Sequence, residues 1–283
     1  MKGARTIYPR LCGGLGNQMF QIAAAVGLAE RLGCSWACPE NMANLYGQGN
    51  PPGHYRANIF RNLPFVRPET HGVIREYRWC YQWIRVPKLK TNWMMTGFWQ
   101  SPNYWEHCAA KVHAAFDLSW WSGGDLLERL RRDSKKPLCA VHYRGGDYLR
   151  LRNKHHVCGD AYYRRATAAL ADAYTLVLFT DDIATASQMD IRHDHHFSTG
   201  DDAEDFAAMA HCDAGIISNS TFAWWAMTLG NPKREVHVPD RWFGPAGPKE
   251  FESIYPSGWK RHRVDEEAEL IEINELDMSG TGS

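Results

Sequence analysis

The sequence lacks several features that indicate common classes of protein. Its 283 residues carry 32 basic and 32 acidic side chains, so the formal net charge is zero, whereas nucleic-acid binders usually carry a basic excess. No apolar run approaches the roughly 20 residues that a membrane-spanning helix needs. Residues 1–14 also lack the apolar core of a signal peptide. We therefore expect a cytoplasmic protein with no integral membrane segment and no nucleic-acid partner.

Patterns that bind metals are also scarce. None of the eight cysteines forms a Cys-x-x-Cys pair, which predicts reduced and mostly buried thiols in an intracellular chain of this length. The spacing of six histidines fits no standard metal site; these are His155, His156, His193, His195, His196 and His211. We therefore expect neither a metal nor a cofactor.

Apolar and aromatic residues are plentiful. Hydrophobic residues make up 44% of the chain, and twelve residues are tryptophan. Tryptophan faces suit the packing of a core as well as the stacking of sugar rings. We expect most of these side chains to pack in the core and between domains.

The second half of the chain alternates strands with helices, which predicts an α/β fold with a parallel sheet. We predict strands over residues 138–143, 176–180, 214–218 and 235–238, the last of them the final strand, and helices over 159–173, 202–210 and 221–229. In the first half we predict a strand over 7–12, helices over 17–32 and 125–132, and loops with short elements over 39–75. Two domains are expected, 1–136 and 137–278, with a terminal helix over 265–277 and a disordered tail over 279–283.

Ligands of open parallel sheets bind outside the carboxyl ends of the strands. At the first such end the sequence reads Gly13-Gly14-Leu15-Gly16-Asn17-Gln18. Backbone amides at a helix start can bind an anion, and glycines allow close approach. The segment is neither a P-loop nor a complete dinucleotide fingerprint, and a plain tight turn is the alternative.

The second strand end carries His142-Tyr143-Arg144-Gly145-Gly146-Asp147-Tyr148. An arginine beside two glycines can donate two hydrogen bonds to a diphosphate. Asp147 could orient Arg144 or bind a ribose. A purely structural ion pair between Arg144 and Asp147 is the alternative.

Two further strand ends carry small polar residues. Asp181, in Thr180-Asp181-Asp182, could accept hydrogen bonds from a ribose or a guanine, although either aspartate could instead cap a helix. The segment Ser218-Asn219-Ser220-Thr221-Phe222 offers amides and hydroxyls to a phosphate. Ordinary capping of the following helix is again the alternative.

Together these blocks resemble the α-1,2-fucosyltransferases of glycosyltransferase family 11. The opening block from Gly13 to Gln21, the middle segment Gly97–Trp105, the His142–Tyr148 block and the Ser218–Trp225 block match that family in order. The resemblance covers most of the chain. It implies a GT-B-like fold of two Rossmann-like domains facing a cleft, a GDP-fucose donor, inversion at the anomeric carbon and no metal. The chain has no Asp-x-Asp motif, and Gly145 stands where the family has a second arginine.

On this resemblance we expect transfer of L-fucose from GDP-fucose to a hydroxyl of a galactose-containing glycan, the 2-hydroxyl of galactose. The first domain is expected to hold the acceptor, and the second the GDP-sugar. The catalytic residues are predicted to be Arg144, Asn17 and Asp147. Residues predicted to bind the donor are Gly14, Gly16, Asn17, His142, Arg144, Asp181, Ser218, Asn219, Ser220, Thr221 and Phe222.

Two other functions fit the same blocks. One is transfer of another GDP-linked sugar such as mannose, and the other is a non-catalytic module that binds a GDP-sugar or a glycan. No general base is identified by the sequence. Asp147 and carboxylates in the loops without a predicted structure are its candidates.

Overall fold

The fold contains two parallel sheets with helices packed against them. The computed structural model describes residues 5–40, 49–70, 72–86, 91–170 and 172–264. The first sheet has the order β2-β1-β6-β5; its strands are β1 (Thr6–Pro9), β2 (Ser35–Trp36), β5 (Gly72–Arg75) and β6 (Trp93–Thr96). Beside it, β3 (Cys38–Pro39) pairs with β4 (Phe65–Val66).

The second sheet has six strands in the order β12-β11-β10-β7-β8-β9. These are β7 (Leu138–Tyr143), β8 (Thr175–Thr180), β9 (His195–His196), β10 (Ala214–Ile217), β11 (Glu235–Pro239) and β12 (Lys260–His262). All six residues of β7 are buried. A continuous apolar strand of this kind is typical of the centre of a parallel sheet, which is covered on both faces.

Eight α-helices connect and cover the strands in the part of the chain that is described. They are α1 (Leu15–Leu32), α2 (Ala109–Ala115), α3 (Asp125–Ser134), α4 (Gly146–Arg150), α5 (Asp160–Ala168), α6 (Ile183–Ala186), α7 (Asp202–Ala210) and α8 (Thr221–Leu229). Short 3₁₀ turns lie at Pro52–Tyr55, Pro102–Tyr104, Glu106–Cys108 and Glu252–Ile254.

The predicted α/β fold is confirmed, since every pairing in both larger sheets is parallel. Helices α7 and α8 have the predicted bounds. The prediction that residues 235–238 form the last strand is wrong, because β12 follows and pairs with β11. The first strand ends at Pro9 rather than at residue 12. Strands β5, β6 and β9 were not predicted, because two to four residues show too little periodicity.

The predicted boundary between residues 136 and 137 falls between α3 and β7. One hydrophobic cluster nevertheless contains buried residues from both sides of it, including Phe20 of α1 and Trp224 of α8. The division into two domains stays a prediction. The predicted terminal helix and the disordered tail lie outside the described residues.

The tryptophans occupy the expected places. Five are buried, namely Trp99, Trp105, Trp224, Trp225 and Trp242. Another five pack against the core, namely Trp36, Trp93, Trp120, Trp121 and Trp259. The remaining two, Trp79 and Trp83, are exposed. Core packing therefore explains ten of the twelve, and the two exposed rings need another explanation.

The cysteines are all free thiols, six of them buried, as the sequence predicts. Within the described ranges no cluster of three histidine, cysteine or carboxylate side chains is arranged to hold a metal ion. None of the described helices has the length and apolar character needed to cross a membrane.

Helices α1 and α8 approach each other at Gly16 until their backbones touch. A Cβ on Gly16 would lie 2.2 Å from the carbonyl carbon of Thr221 and 2.4 Å from the nitrogen of Phe222. Because these are backbone atoms, no side-chain rotation relieves the overlap. Glycine is therefore required at this position for packing.

We predict that Gly16→Ala lowers the free energy of unfolding by about 1–3 kcal/mol, the usual cost of overpacking a core, despite the higher helix propensity of alanine. Gly53→Ala is the matched control, since Gly53 is exposed and has no atom within 4 Å of its Cβ position. It should change stability by no more than about 0.5 kcal/mol. Urea denaturation measures both, and equal effects of the two substitutions contradict the close contact.

Candidate functional site

The first turns of α1 and α8 form the centre of the candidate site. No side chain caps either helix at its N-cap residue, Gly14 for α1 and Ser220 for α8. The first backbone N–H groups of a helix lack partners within the helix and carry its positive dipole end. The ordinary capping considered for Ser220 is therefore absent. Two helix starts that attract anions meet at Gly16 and Thr221.

Asn17 joins the two helix starts. Its side-chain oxygen accepts a hydrogen bond of 2.8 Å from the Gln100 amide and one of 3.2 Å from the Thr221 hydroxyl. Its Nδ2 lies 2.6 Å from the position that a Cβ on Gly13 would occupy, and Gly13 has a φ of 77°. A glycine there leaves room for the amide. These bonds fix the Asn17 N–H groups beside the glycine turn.

His142 lies at the end of β7 and is hydrogen-bonded to Ser218, which follows β10. The distance from His142 Nδ1 to Ser218 Oγ is 2.9 Å, and both residues are buried. Burial, assisted by the nearby Arg144 charge, lowers the pKa of His142 to about 3. The imidazole is therefore neutral at physiological pH. It links adjacent strands directly beneath the start of α8.

Arg144 lies in the turn that follows β7, with two carboxylates against its guanidinium. Its Nη2 is 2.7 Å from Asp147 Oδ1, and its Nη1 is 2.6 Å from Asp181 Oδ2. The guanidinium also lies 5.3 Å from the centre of the Tyr148 ring. Burial alone would lower the pKa of Arg144, but Asp181 and Asp147 outweigh it and raise the pKa. The ion pair considered from the sequence is thus present, and it includes a second aspartate.

The two aspartates after β8 have different roles. Asp182 caps α6, accepting a 3.0 Å hydrogen bond from the Thr185 N–H. Asp181 caps no helix, and instead it accepts a 3.0 Å bond from the Gly145 N–H besides pairing with Arg144. The capping alternative therefore holds for Asp182 alone.

Gly145, where the related family has a second arginine, has little space around it. A Cβ there would lie 2.8 Å from the Cβ of Asp182 and 2.9 Å from the Tyr143 ring. In this chain the position accommodates the tight turn between β7 and α4. No side chain fits there without a shift of its neighbours.

Asn219 faces the interior of the fold. Its Nδ2 donates to the carbonyl oxygens of His156 at 2.9 Å and Trp242 at 2.6 Å, and only 2% of the residue is exposed. The side chain therefore holds two loops together. Phe222 is half-buried and packs on Phe206, with ring centres 5.2 Å apart.

The structure brings most of the predicted residues into one region. The helix starts contribute Gly14, Gly16, Asn17, Ser220, Thr221 and Phe222, and the strand ends of the second sheet contribute His142, Arg144, Asp147, Asp181 and Ser218. Asn219 lies in the same turn, but its amide faces the loops beneath. Whether these residues bind a donor stays a prediction.

Two residues in or near this region were not predicted as site residues. Gln100 bonds Asn17, and its place in the middle segment that matches the family was the available signal. Glu76 accepts backbone hydrogen bonds from Phe98 at 2.6 Å and Trp99 at 3.0 Å. A single carboxylate in an aperiodic stretch gave no signal for Glu76.

We predict that the ring of His142 shows no titration between about pH 5 and 8. The unfolded chain binds a proton near its ordinary pKa of 6.5 and the folded protein only near 3. Stability contributed by this group is therefore lost as the pH falls below about 6.5. Histidine NMR spectra, assigned by comparison with His142→Asn, test this. A His142 midpoint above about pH 5.5 contradicts the buried neutral imidazole.

Comparisons with known proteins show the family of the chain. The family model described as "Glycosyl transferase family 11" matches residues 75–262. Galactoside alpha-(1,2)-fucosyltransferase 1 of Sus scrofa is 31% identical over 81% of this chain and 66% of its own length. The chain thus spans slightly less than two thirds of that relative. The O-antigen biosynthesis glycosyltransferase WbnK of Escherichia coli is 24% identical over 84% of this chain and 95% of its own length.

Among solved structures, the fucosyltransferase NodZ from Bradyrhizobium is similar at 14% identity and a TM-score of 0.48, over 88% of this chain and 97% of that one. The family match covers well over half of the chain, including three of the four blocks recognised in the sequence. The predicted family is therefore confirmed: the chain belongs to glycosyl transferase family 11.

Proposed function

We propose that this chain transfers L-fucose from GDP-fucose to a hydroxyl of a galactose-containing glycan, the 2-hydroxyl of galactose, with inversion at the anomeric carbon. The meeting of two uncapped helix starts beside Arg144 carries the proposal. Such a site suits the diphosphate of a nucleotide sugar. The relative named galactoside alpha-(1,2)-fucosyltransferase supports both the sugar and the acceptor.

In this proposal the diphosphate lies over the first turns of α8 and α1. The N–H groups that begin α8 and the amide of Asn17, whose oxygen accepts the Thr221 hydroxyl, are its neutral hydrogen-bond donors. Gly14 lets the phosphate approach the start of α1. The neutral His142 and its partner Ser218 support the turn from below.

Arg144 supplies the positive charge. The pairs with Asp147 and Asp181 use one N–H on each terminal nitrogen, and a guanidinium has five N–H donors. Asp147 holds the guanidinium in place, and Asp181 is positioned to accept hydrogen bonds from the ribose or the guanine. These hydrogen-bond donors are fixed before GDP-fucose binds, so they stabilise the diphosphate without rearrangement.

The chemical step is transfer of fucose, and it places negative charge where these hydrogen-bond donors and Arg144 can stabilise it. As the bond between the fucose C1 and the diphosphate oxygen lengthens, negative charge accumulates on the leaving GDP. The acceptor hydroxyl attacks C1 from the opposite face, which inverts the configuration. Groups that bind the leaving diphosphate more strongly than the intact donor raise kcat.

We predict that Arg144→Ala and Arg144→Lys each lose at least ~100-fold in kcat/KM, in line with removing one charge-stabilising donor. A lysine cannot reproduce the paired geometry of a guanidinium, and the loss should fall more on kcat than on KM. Steady-state transfer from GDP-fucose measures this. Circular dichroism and a melting curve serve as controls for folding.

Arg131→Ala is a matched control, because Arg131 of α3 makes an exposed ion pair with Asp213, which precedes β10 at the opposite end of that strand from Ser218. It should retain activity within about threefold, as expected for a surface pair. A folded Arg144→Ala protein with near wild-type activity removes Arg144 from the proposed mechanism. A variant that unfolds assigns Arg144 a structural role only.

We also predict that transfer persists in excess EDTA. The proposed site neutralises the diphosphate with Arg144 and the helix starts, so the mechanism needs no divalent ion. The measurement is GDP release with a panel of GDP-sugars, with and without EDTA. Activity that disappears in EDTA and returns with Mn²⁺ or Mg²⁺ refutes this part. Preference for GDP-mannose, or binding without transfer, supports one of the alternative functions instead.

A further inference from the structure

A second cleft, of about 260 Å³, lies at the carboxyl ends of the first sheet. Residues that follow three adjacent strands line it: Arg10 and Cys12 after β1, Glu76 after β5, and Gly97 and Phe98 after β6. Cys12 immediately precedes the glycine turn that starts α1. The cleft therefore adjoins the proposed donor site and shares none of its residues.

One wall of the cleft is aromatic. Trp79 stacks on Phe98 with ring centres 4.8 Å apart and planes 20° apart. Trp79 is one of only two tryptophans outside the core, and 38% of it is exposed. An exposed aromatic platform above a cleft suits the apolar face of a sugar ring.

Glu76 places a half-buried carboxylate in this cleft. It accepts the N–H groups of Phe98 and Trp99, and Trp99 has a φ of 56°, which is rare for a bulky residue. The carboxylate therefore holds a strained loop in place. Each of its oxygens has lone pairs beyond those used by the two amides.

The environment of Glu76 raises the pKa of its carboxyl group. Burial raises its pKa to about 7, against the opposing effect of the Trp99 and Phe98 N–H groups. The charged or titratable groups around it are Arg10, Cys12, Arg75, Tyr77 and Arg78 in the cleft wall, and Tyr104 behind it. A carboxylate that ionises near the working pH is suited to general base catalysis.

Two sets of contacts join this cleft to the proposed donor site. Next to Trp99, Gln100 bonds Asn17, which in turn bonds Thr221 at the start of α8. On the other side an aromatic series runs from the cleft to Arg144; it consists of Trp79, Phe243, His155 and Tyr148, with successive ring centres 5.5, 6.4 and 4.4 Å apart. The cleft and the proposed donor site are therefore connected on two sides.

We propose that Glu76 is the general base of the transfer reaction and that the acceptor sugar stacks on Trp79 in this cleft. The carboxylate takes the proton of the attacking acceptor hydroxyl. At the same time the new bond forms between the oxygen of that hydroxyl and C1 of the donor sugar. The bond from C1 to the diphosphate breaks, and GDP leaves with the electron pair. This inference rests on the proposed transferase function.

The test compares wild type, Glu76→Gln and Glu69→Gln in the pH dependence of kcat/KM for the acceptor. Wild-type activity should fall about tenfold per pH unit below about pH 7, because only the carboxylate form is active. Glu76→Gln, whose amide oxygen can still accept the loop N–H groups, should lose about 10²–10⁴-fold in rate. It should also lose that pH dependence, while GDP affinity changes less than about twofold.

Glu69→Gln is the matched control, since Glu69 is an exposed carboxylate of the same half of the chain. It should keep the wild-type rate and pH profile. Trp79→Ala should raise the acceptor KM and keep the acidic limb of the profile. Formate added to Glu76→Ala should restore part of the transfer, an effect that a loop-anchoring role alone does not produce.

The outcomes separate this inference from the proposed function. A wild-type protein that transfers sugar without an acidic limb overturns the role of Glu76, whatever the stability of the variants. Glu76→Gln with near wild-type activity does the same. If wild type transfers sugar from no GDP-sugar, the proposed function itself fails, and the role of Glu76 fails with it.

Discussion

The backbone contact between α1 and α8 at Gly16 is the constraint on which the candidate site depends. It brings the start of a helix from the first sheet against the start of a helix from the second. Neither Gly14 nor Ser220 caps its helix with a side chain, so the first N–H groups of both helices come together in one place. A side chain at this contact would push the two helix starts apart. It would also break the hydrogen bond between Asn17 and Thr221 that joins them.

The charged side chains near this contact hold the Arg144 guanidinium in a fixed orientation and do not create a net positive field. Arg144 lies between Asp147 and Asp181, and each of its two terminal guanidinium nitrogens forms an ion pair with one of these aspartates. The chain as a whole carries no net charge. In the proposed mechanism, recognition of the diphosphate therefore depends on directed hydrogen-bond donors at short range, and salt in solution screens such contacts much less than long-range attraction.

Much of the second sheet could be predicted from the sequence. Helices α7 and α8 follow polar turns and contain clear apolar runs, so their bounds were predicted correctly. The four blocks at strand ends were also recognisable, because parallel strands bring their carboxyl ends to one edge. The short strands β5 and β6 could not be predicted, since their aromatic surroundings conceal the alternation of buried and exposed residues.

The partners within the site were harder to predict. His142 and Ser218 are 76 residues apart, and only the adjacency of β7 and β10 brings them together. The third partner in the Arg144 cluster, Asp181, depends in the same way on β8 lying beside β7. Glu76 could not be recognised in the sequence, because its position in the cleft depends on the loop after β6, whose backbone N–H groups it binds. Sequence motifs identified the turns, and strand order determined which turns meet.

The hydrophobic cluster described above runs without a break from α1 to α8 and Trp224. Separating the two halves would expose large apolar rings on both sides to water, at roughly 25 cal/mol for each Å² uncovered. A wide hinge motion between the halves is therefore costly. Thermal melting of one half removes the support of the other, so we expect the molecule to unfold as a single cooperative unit.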